Sequence, residues 1–349
     1  MAHYFITGHT GFKGAWLTFL LKSQGHEVSG LGLDPLAGSI FQRTGLGKDL
    51  VHDFRIDVRS REETIRALQV ANPDYVIHMA AQALVREGYR NPLYTYETNV
   101  LGTLNVLEAV DYTDSVRAQL IVTTDKVYLD RGFNRPYIET DPLGGKDPYS
   151  ASKAMADILA QEYLARDGAK PGAVARAGNV IGAGDVSEDR LIPDILRAVE
   201  TQQPVTLRYP EAIRPWQHVL DCLSGYLMLI EAVAHRGVVG EFNFGPEATS
   251  FASVRDVISR VQGRLSFRAE FPPKQNGSES MAEDGFLLLD SDKARKVLGW
   301  QQSFDFGDSV DDAAQNLGSL SRSSFKTLIR ETISAWNVNQ ERLKPVELI

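Results

Sequence analysis

The chain has 349 residues, of which 43% are hydrophobic and 23% are charged, and its formal net charge is −8. These values are typical of a globular protein with one large domain or two lobes. The acidic balance argues against a general nucleic-acid-binding protein, and no apolar run approaches the roughly 18 residues of a membrane span. The single cysteine, Cys222, excludes an internal disulfide and favours a reducing compartment. We therefore predict a cytoplasmic protein without a signal peptide.

Short apolar runs alternate with helical stretches in the first half of the chain. Strands are predicted at residues 4–7, 27–33, 53–56, 75–79, 120–124 and 174–177. Helices are predicted at about 14–24, 92–110 and 149–165. Such alternation produces right-handed crossovers and a parallel sheet that is covered on both faces. The sequence therefore predicts a Rossmann-type, doubly wound α/β domain.

The pattern becomes irregular after this domain. Helices at 191–200, 221–234 and 253–262 alternate with short strands at 205–207, 242–244 and 267–271. We predict a cofactor-binding domain of residues 1–178, to which later segments can return, and a smaller C-terminal α/β substrate lobe of residues 179–335. The polar residues 336–349 are predicted to form a tail.

Three glycines lie between the first strand and the first helix. Gly8 permits a tight turn, Gly11 lets the backbone approach a pyrophosphate, and Gly14 lets the helix pack closely on the strand. The first amides of the helix then face the phosphates. This context predicts a dinucleotide site, and a structural turn without a ligand is the alternative.

The residues after the second and third strands bear on the adenosine end of that dinucleotide. Gly32 occupies the position at which an acid usually contacts the ribose, and the first acid that follows is Asp34. Asp34 either reaches the ribose or starts a turn. No arginine stands at this strand end, so we predict NAD and not NADP. Asp57, with Val58, either contacts the adenine or caps a helix.

Two groups of chemically active side chains follow. Tyr149 and Lys153 lie four residues apart at the start of a predicted helix and so project from one face. A phenol with a pKa near ~10 is a poor base at neutral pH. The Lys153 ammonium and an oxidised nicotinamide would lower that pKa, which would make Tyr149 a base for a hydroxyl. Asp125 and Lys126, after the fifth strand, add a carboxylic acid and a second amine.

With these features the chain resembles an extended short-chain dehydrogenase/reductase. The resemblance covers nearly the whole chain and rests on residues 8–14, 78–82, 98–103, 149–153 and 290–300. The pair Thr124-Asp125 is similar to that of nucleotide-sugar 4,6-dehydratases. Longer strings most resemble the CDP-glucose 4,6-dehydratases, at residues 8–14, 125–126, 176–182, 189–194 and 214–219.

The resemblance implies a redox-neutral loss of water. Tyr149 takes the 4-hydroxyl proton as hydride leaves C4 for NAD⁺, the C5 proton and the 6-hydroxyl are then lost, and hydride returns to C6. Thr124 stabilises charge on the 4-oxygen, and Asp125, with a pKa raised by burial, protonates the departing hydroxyl. Most 4,6-dehydratases have glutamate as the C5 base where this chain has Lys126. Either neutral Lys126 is that base, or charged Lys126 binds substrate while water or Tyr149 moves the proton.

The resemblance also implies which residues contact the ligands. The implied NAD contacts are Gly8, Thr10, Gly11, Phe12, Lys13, Asp34, Asp57, Val58, Ala80, Ala81, Gln82, Asn99, Thr123, Tyr149 and Lys153. The implied nucleotide-sugar contacts are Gln82, Arg86, Asn179, Arg190, Leu191, Arg214 and His218. Arginine suits the diphosphate because its fork is bidentate. Arg190 is equally compatible with a surface ion pair, and His218 with a buried, hydrogen-bonded histidine. We predict no metal site.

Alternatives remain for both assembly and activity. The family usually dimerises through the helices near 92–110 and 149–165, although apolar Ala151, Ala154, Met155 and Ile158 could instead pack on the sheet. The chain could act on a UDP-, GDP- or dTDP-linked sugar, as a dehydratase or a 4-epimerase. A third possibility is an NAD-binding sensor that has lost its chemistry.

Overall fold

The computed structural model describes residues 1–132, 135–207, 210–271, 287–315 and 321–343. The strands are β1 His3–Thr7, β2 Glu27–Gly32, β3 Asp53–Arg55, β4 Tyr75–His78, β5 Ala118–Val122, β6 Gly172–Ala177, β7 Val180–Ile181, β8 Val205–Thr206, β9 Ile213–Pro215, β10 Gln217–His218, β11 Gly240–Phe244, β12 Phe251–Ser253 and β13 Ala269–Glu270. The helices are α1 Phe12–Ser23, α2 Ile40–Thr44, α3 Arg61–Ala71, α4 Val85–Arg90, α5 Pro92–Tyr96, α6 Gly102–Asp111, α7 Pro148–Leu164, α8 Leu191–Thr201, α9 Val219–Arg236, α10 Val254–Gln262, α11 Asp292–Leu298, α12 Phe306–Ala313 and α13 Arg322–Leu343.

Seven strands form one parallel sheet in the order β11-β6-β5-β4-β1-β2-β3. The strand order reverses between β1 and β4, where Thr7 pairs with His78. In open α/β sheets such a switch point leaves a crevice at the carboxyl ends of the strands, and ligands bind there. The predicted Rossmann-type sheet is confirmed, and its six predicted strands agree with the structure to within a few residues at each end.

Helices cover both faces of the sheet. On one face, α1, α9 and α13 bury large side chains such as Trp16, Tyr226 and Trp336 against the strands. On the other face, α3 and α6 bury a smaller set around Leu68 and Val106. No helix in the described parts of the chain is long and apolar enough to cross a membrane.

A separate apolar cluster forms beyond the sheet. It joins α8, α10 and α12 through residues such as Ile195, Val257 and Val310. This cluster corresponds to the predicted substrate lobe, but α9, β11 and α13 pack with the sheet domain. The division near residue 178 therefore remains a prediction, with later segments returning to the first domain.

The predicted tail begins inside a helix. Trp336 is 5% exposed, and its Nε1 donates a hydrogen bond of 2.7 Å to buried Asp221. Helix α13 continues to Leu343, and residues 344–349 lie outside the described residues.

Candidate active site

The glycine turn packs tightly on itself and on the end of β4. Gly8 has a φ of +77°, and a Cβ there would lie 2.9 Å from the backbone nitrogen of Ala80. A Cβ on Gly14 would lie 2.3 Å from the backbone oxygen of Gly8. Gly11 stands at the N-cap of α1 and has no side chain to bond the first helical amides, so these amides are available to an anion. These residues fit the pyrophosphate of a dinucleotide.

Sequence reasoning missed the side chains that surround the adenosine end of this turn. His9 is fully buried where Gly30 leaves room for its ring, and its Nε2 lies 2.7 Å from Asp53 Oδ1. Burial opposes ionisation of Asp53, but hydrogen bonds from His9 and Arg55 hold the pKa of Asp53 below its usual value. Asp34 is exposed just beyond β2.

An arginine does stand beside the end of β2, contrary to the sequence expectation, because it comes from the neighbouring strand β3. Arg55 Nη1 donates to the backbone oxygen of Leu33 (3.2 Å), and its Nη2 pairs with Asp53 at 2.7 Å. The Asp53 carboxylate therefore already balances this charge.

Asp57 does not cap a helix. Ser60 precedes α3, and the Asp57 carboxylate instead accepts hydrogen bonds from the backbone and side chain of Arg59. Val58 is buried against Gly102, where a Cβ would lie 2.7 Å from the valine side chain.

A chain of hydrogen bonds crosses the switch point. The amides of Met79 and Ala80 donate to Thr7 Oγ1, so the Thr7 hydroxyl donates to His78 Nδ1 at 2.7 Å. The Thr103 hydroxyl donates to the backbone oxygen of Asn99, so it accepts from His78 Nε2 at 3.0 Å. Burial, with the Lys153 charge, lowers the pKa of His78 to about 3. A neutral imidazole with its proton on Nε2 therefore ties β1 to α6.

Gln82 and Asn99 hydrogen-bond to each other's segments and to neighbouring helices beside the crevice. Gln82 Nε2 donates to Thr95 Oγ1 (2.8 Å) and its Oε1 accepts from the Leu84 amide (2.6 Å), so both ends of the side chain have protein partners. Asn99 Nδ2 donates to the backbone oxygen of Gln82 and to Ser152 Oγ on α7. Asn99 lies in a π-helical turn, Glu97–Leu101, that interrupts the single helix predicted at 92–110. Such turns are frequent at functional sites.

The structure brings the predicted chemical groups together. Helix α7 begins at Pro148 after Asp147, whose carboxylate accepts from the Ser150 amide. Near the start of this helix, the Tyr149 phenol lies close to the Thr124 side chain, which acts to lower the pKa of the phenol. The Thr124 hydroxyl in turn donates to Asp125 Oδ1 at 2.9 Å.

The electrostatics of these groups are dominated by burial. Burial raises the pKa of Asp125, against the Thr124 hydrogen bond and the charges of Lys126 and Lys13. This is the direction that a general acid requires. Burial also raises the pKa of Tyr149, against the Thr124 hydrogen bond and the Arg190 charge. In the protein alone, the pKa of Tyr149 is thus shifted opposite to the direction predicted from the sequence.

The three lysines of the predicted site lie in different surroundings. Lys153 Nζ donates to the backbone oxygen of Val122 at 2.9 Å, and burial lowers the pKa of Lys153 to about 8. Lys126 belongs to a 3₁₀ turn, Asp125–Val127, and lines a cavity of about 20 Å³. Lys13, predicted to contact the cofactor, donates from its Nζ to Tyr226 Oη on α9 at 3.3 Å.

Three predicted substrate residues form polar contacts near the start of α8. Arg86 on α4 pairs with Asp189, which precedes α8, at 2.5 Å. Arg190 donates to Asn179 Oδ1, and its charge acts on Tyr149. The sheet domain and the substrate lobe therefore meet through charged side chains at the predicted site.

The other three predicted substrate residues have different surroundings. Leu191 begins α8 and packs on the lobe cluster. Arg214 lies on β9 opposite Ala252 of β12. His218 is 0% exposed, and its ring contacts Asp312 Oδ2 (3.0 Å) and the Leu220 amide. His218 therefore matches the alternative of a buried, satisfied histidine, because both ring nitrogens already have protein partners.

Comparison with known proteins identifies the family. Residues 4–245 match the model of the NAD dependent epimerase/dehydratase family. The chain belongs to this family. NAD is therefore its cofactor, and the crevice beside the glycine turn is where the fold binds it.

Named relatives and solved structures agree with this assignment. The chain is 39% identical to the CDP-glucose 4,6-dehydratase of Salmonella typhimurium over 308 residues, which is 85% of each chain. It is 29% identical to a dTDP-glucose 4,6-dehydratase of Xanthomonas campestris, over 89% of this chain and 91% of the relative. The solved UDP-glucose-4-epimerase from Stenotrophomonas maltophila superimposes with a TM-score of 0.80 at 21% identity, covering 93% of this chain and 100% of that one. This last likeness shows the shared fold.

The close packing of the turn generates a test. In Gly14→Ala, the new Cβ would meet the backbone of Gly8 at 2.3 Å and of His9 at 2.6 Å, so the turn must open. We expect the affinity for NAD⁺, measured by calorimetry, to fall by at least about tenfold, or ~1.4 kcal/mol. Gly263→Ala is the control, since its Cβ would lie 3.2 Å from the nearest atom, outside the turn. Unchanged affinity in Gly14→Ala would show that the turn does not bind the pyrophosphate.

Proposed function

We propose that this protein is an NAD-dependent nucleotide-sugar 4,6-dehydratase, a hydro-lyase that converts CDP-glucose to CDP-4-dehydro-6-deoxyglucose. The observation that carries this proposal is the contact from the Tyr149 phenol through the Thr124 hydroxyl to the buried Asp125 carboxyl. The choice of CDP-glucose rests on the 39% identity with the Salmonella enzyme of that name.

The arrangement suits an elimination of water. The glycine turn of residues 8–14 would hold NAD⁺, which would supply a reversible hydride acceptor for C4 and C6 of the sugar. Tyr149 takes the proton of the 4-hydroxyl, and the Thr124 hydroxyl, which donates to Asp125 in the protein alone, donates instead to the 4-oxygen. Burial raises the pKa of Asp125, the direction that an acid requires. Asp125 gives its proton to the 6-hydroxyl, which leaves as water after C5 has lost its own proton, and C5 regains a proton when hydride returns to C6.

The nucleotide diphosphate is assigned to the cations of the substrate lobe and to Arg86. Arg86 pairs with Asp189, and Arg190 with Asn179, so each side chain already points to an oxygen acceptor. A diphosphate offers the same kind of acceptor with more negative charge. Binding would exchange these protein partners for phosphate oxygens, with Arg214 joining from β9.

A 4-epimerase is the second candidate, because such an enzyme shares the fold at a TM-score of 0.80. An epimerase removes no hydroxyl from C6 and needs no acid for a leaving group. The burial that raises the pKa of Asp125 is therefore better explained by dehydration.

The main experiment measures loss of water. Purified protein with NAD⁺ should convert CDP-glucose to a product lighter by one water, faster than it acts on UDP-, GDP- or dTDP-glucose. In Asp125→Asn, which cannot donate an acidic proton, we expect kcat to fall by about 10²–10⁴-fold. Asp130→Asn is the matched control, since Asp130 forms only a partly exposed pair with Lys146 and such pairs contribute ~0–1 kcal/mol. Equal rates in both variants, or epimer formation without loss of water, would contradict the proposal.

A separate test concerns the base at C5. A neutral Lys126 amine can accept the C5 proton, so Lys126→Ala should abolish exchange of C5 with solvent deuterium while C4 oxidation continues. We measure the exchange by mass spectrometry of the nucleotide sugar in D₂O. Retained exchange would assign Lys126 to substrate binding and leave proton transfer to water or Tyr149.

We further propose a homodimer that forms through α5, α6 and α7. Leu93, Met155 and Ile158 are 68%, 49% and 54% exposed, which is high for large apolar side chains. Ala154, by contrast, is buried against Val127 and Tyr137. The exposed residues support the dimer, and Ala154 fits the alternative of internal packing.

The dimer is tested by placing a charge on its proposed interface. Ile158→Asp would bury a carboxylate in the dimer, so the protein should elute as a monomer in size-exclusion chromatography with light scattering. Leu36→Asp is the control, because Leu36 is 63% exposed in the loop after β2. A dimer that persists in Ile158→Asp would place the interface elsewhere.

We also propose a cytoplasmic location. The sequence has one cysteine, Cys222, and its thiol is free and buried. A chain that holds its fold without a disulfide is suited to a reducing compartment.

A further inference from the structure

A buried ion pair lies directly behind the catalytic residues. Asp157, one turn beyond Lys153 on α7, and Arg176 on β6 are 0% and 1% exposed. Arg176 Nη2 and Nε donate to the two carboxylate oxygens of Asp157 at 2.7 and 2.9 Å. The same carboxylate accepts from Thr123 Oγ1 at 2.7 Å and from Gln161 Nε2 at 2.6 Å. Four hydrogen bonds thus satisfy a charge that would otherwise be very costly to bury.

The guanidinium extends this network to the far side of the catalytic segment. Arg176 Nη1 donates to Tyr128 Oη at 3.0 Å and to the backbone oxygen of Glu139 at 2.9 Å. Tyr128 Oη donates to Asn243 Oδ1 on β11 at 2.7 Å. Thr123 and Tyr128 flank residues 124–126, so the ion pair holds both ends of the segment that carries the proposed acid.

We propose that Asp157 and Arg176 are positioning residues for the dehydration. They fix the segment 123–128 to α7, so that Thr124 and Asp125 face Tyr149. This inference rests on the proposed function for its chemical meaning, but the fixing of the segment is a physical property that can be measured without turnover.

Asp157 has a second, electrostatic effect on Lys153. The charged or titratable groups that act on Lys153 are Asp157 on its own helix, Lys13 on α1 and neutral His78 on β4. Burial lowers the pKa of Lys153 to about 8, Asp157 opposes this shift, and Lys13 adds to it. Neutralising Asp157 would therefore lower the pKa of Lys153 further, and Lys153 would lose its charge at a lower pH.

The test compares Asp157→Asn with wild-type protein in two measurements. Hydrogen–deuterium exchange should be at least about tenfold faster across residues 123–128, because fewer hydrogen bonds hold the segment. On the nucleotide sugar that the wild type turns over, kcat should fall by at least about tenfold with KM changed less than about threefold. In the pH profile of kcat, the alkaline limb should move to lower pH, because Lys153 loses its proton at a lower pH than in the wild type.

Gln161→Met is the matched control. It removes one hydrogen bond to Asp157 but keeps the charge and the contacts to Thr123 and Arg176, so the alkaline limb and the exchange of 123–128 should stay at wild-type values. If Asp157→Asn does not fold, Arg176→Lys decides. This variant keeps the positive charge but loses the bidentate guanidinium. Hydrogen–deuterium exchange of residues 123–128 should therefore be faster and kcat should fall, while the alkaline limb of the pH profile of kcat stays at its wild-type pH.

Two outcomes would overturn the inference. Wild-type exchange of 123–128 in the folded variants would show that the pair does not hold the segment. An alkaline limb at the wild-type pH in folded Asp157→Asn would remove the electrostatic role. A wild-type protein that dehydrates no nucleotide sugar would instead refute the proposed function, and the exchange measurement would still decide the positioning role.

Discussion

The site depends on one constraint, which is that the Asp125 carboxyl is buried beside Lys126 and Lys13 and still has a raised pKa. Water is excluded strongly enough for burial to outweigh both positive charges and a hydrogen bond from Thr124. The backbone makes this possible because Gly178 leaves space next to the carboxyl, where a Cβ would lie 2.9 Å from Asp125 Oδ2.

Two hydrogen-bonded networks connect α7, the helix that contains Tyr149 and Lys153, to the strands of the sheet. The first runs from Thr7 through His78 and Thr103 to Asn99 and on to Ser152, and so links the switch point of the sheet to α7. The second joins Asp157 and Arg176 to the end of β5. One network starts at the cofactor crevice and the other at the segment with the acid. Both networks reach α7, the helix that contains Tyr149, at Ser152 and at Asp157.

The sequence was most informative where chemistry depends on local spacing. Gly8 to Gly14 form one turn that leads into α1, and Tyr149 and Lys153 lie about one helical turn apart, so local backbone geometry relates the residues of each set. The contacts that sequence reasoning missed join residues far apart in the chain, such as His9 with Asp53 or His218 with Asp312. Arg55 was missed because strand pairing, and not strand order in the sequence, brings it beside the end of β2.

Some local predictions failed because tertiary contacts override helical propensity. The apolar periodicity of 92–110 is continuous, yet the π-helical turn at Glu97–Leu101 widens the helix where Asn99 binds Gln82 and Ser152. The predicted tail is polar on most positions, but Trp336 turns inward to Asp221. A single buried side chain among exposed ones leaves too weak a pattern to be recognised.

The docking of α13 has a consequence for biosynthesis. Phe325, Ile329 and Trp336 of α13 complete the apolar layer that also contains Trp16 of α1. The apolar side chains of α1 are therefore fully covered only after α13, the last described helix, has packed against them. Until the ribosome has released these residues, the nascent sheet domain exposes that layer to the cell, where chaperones or aggregation compete for it.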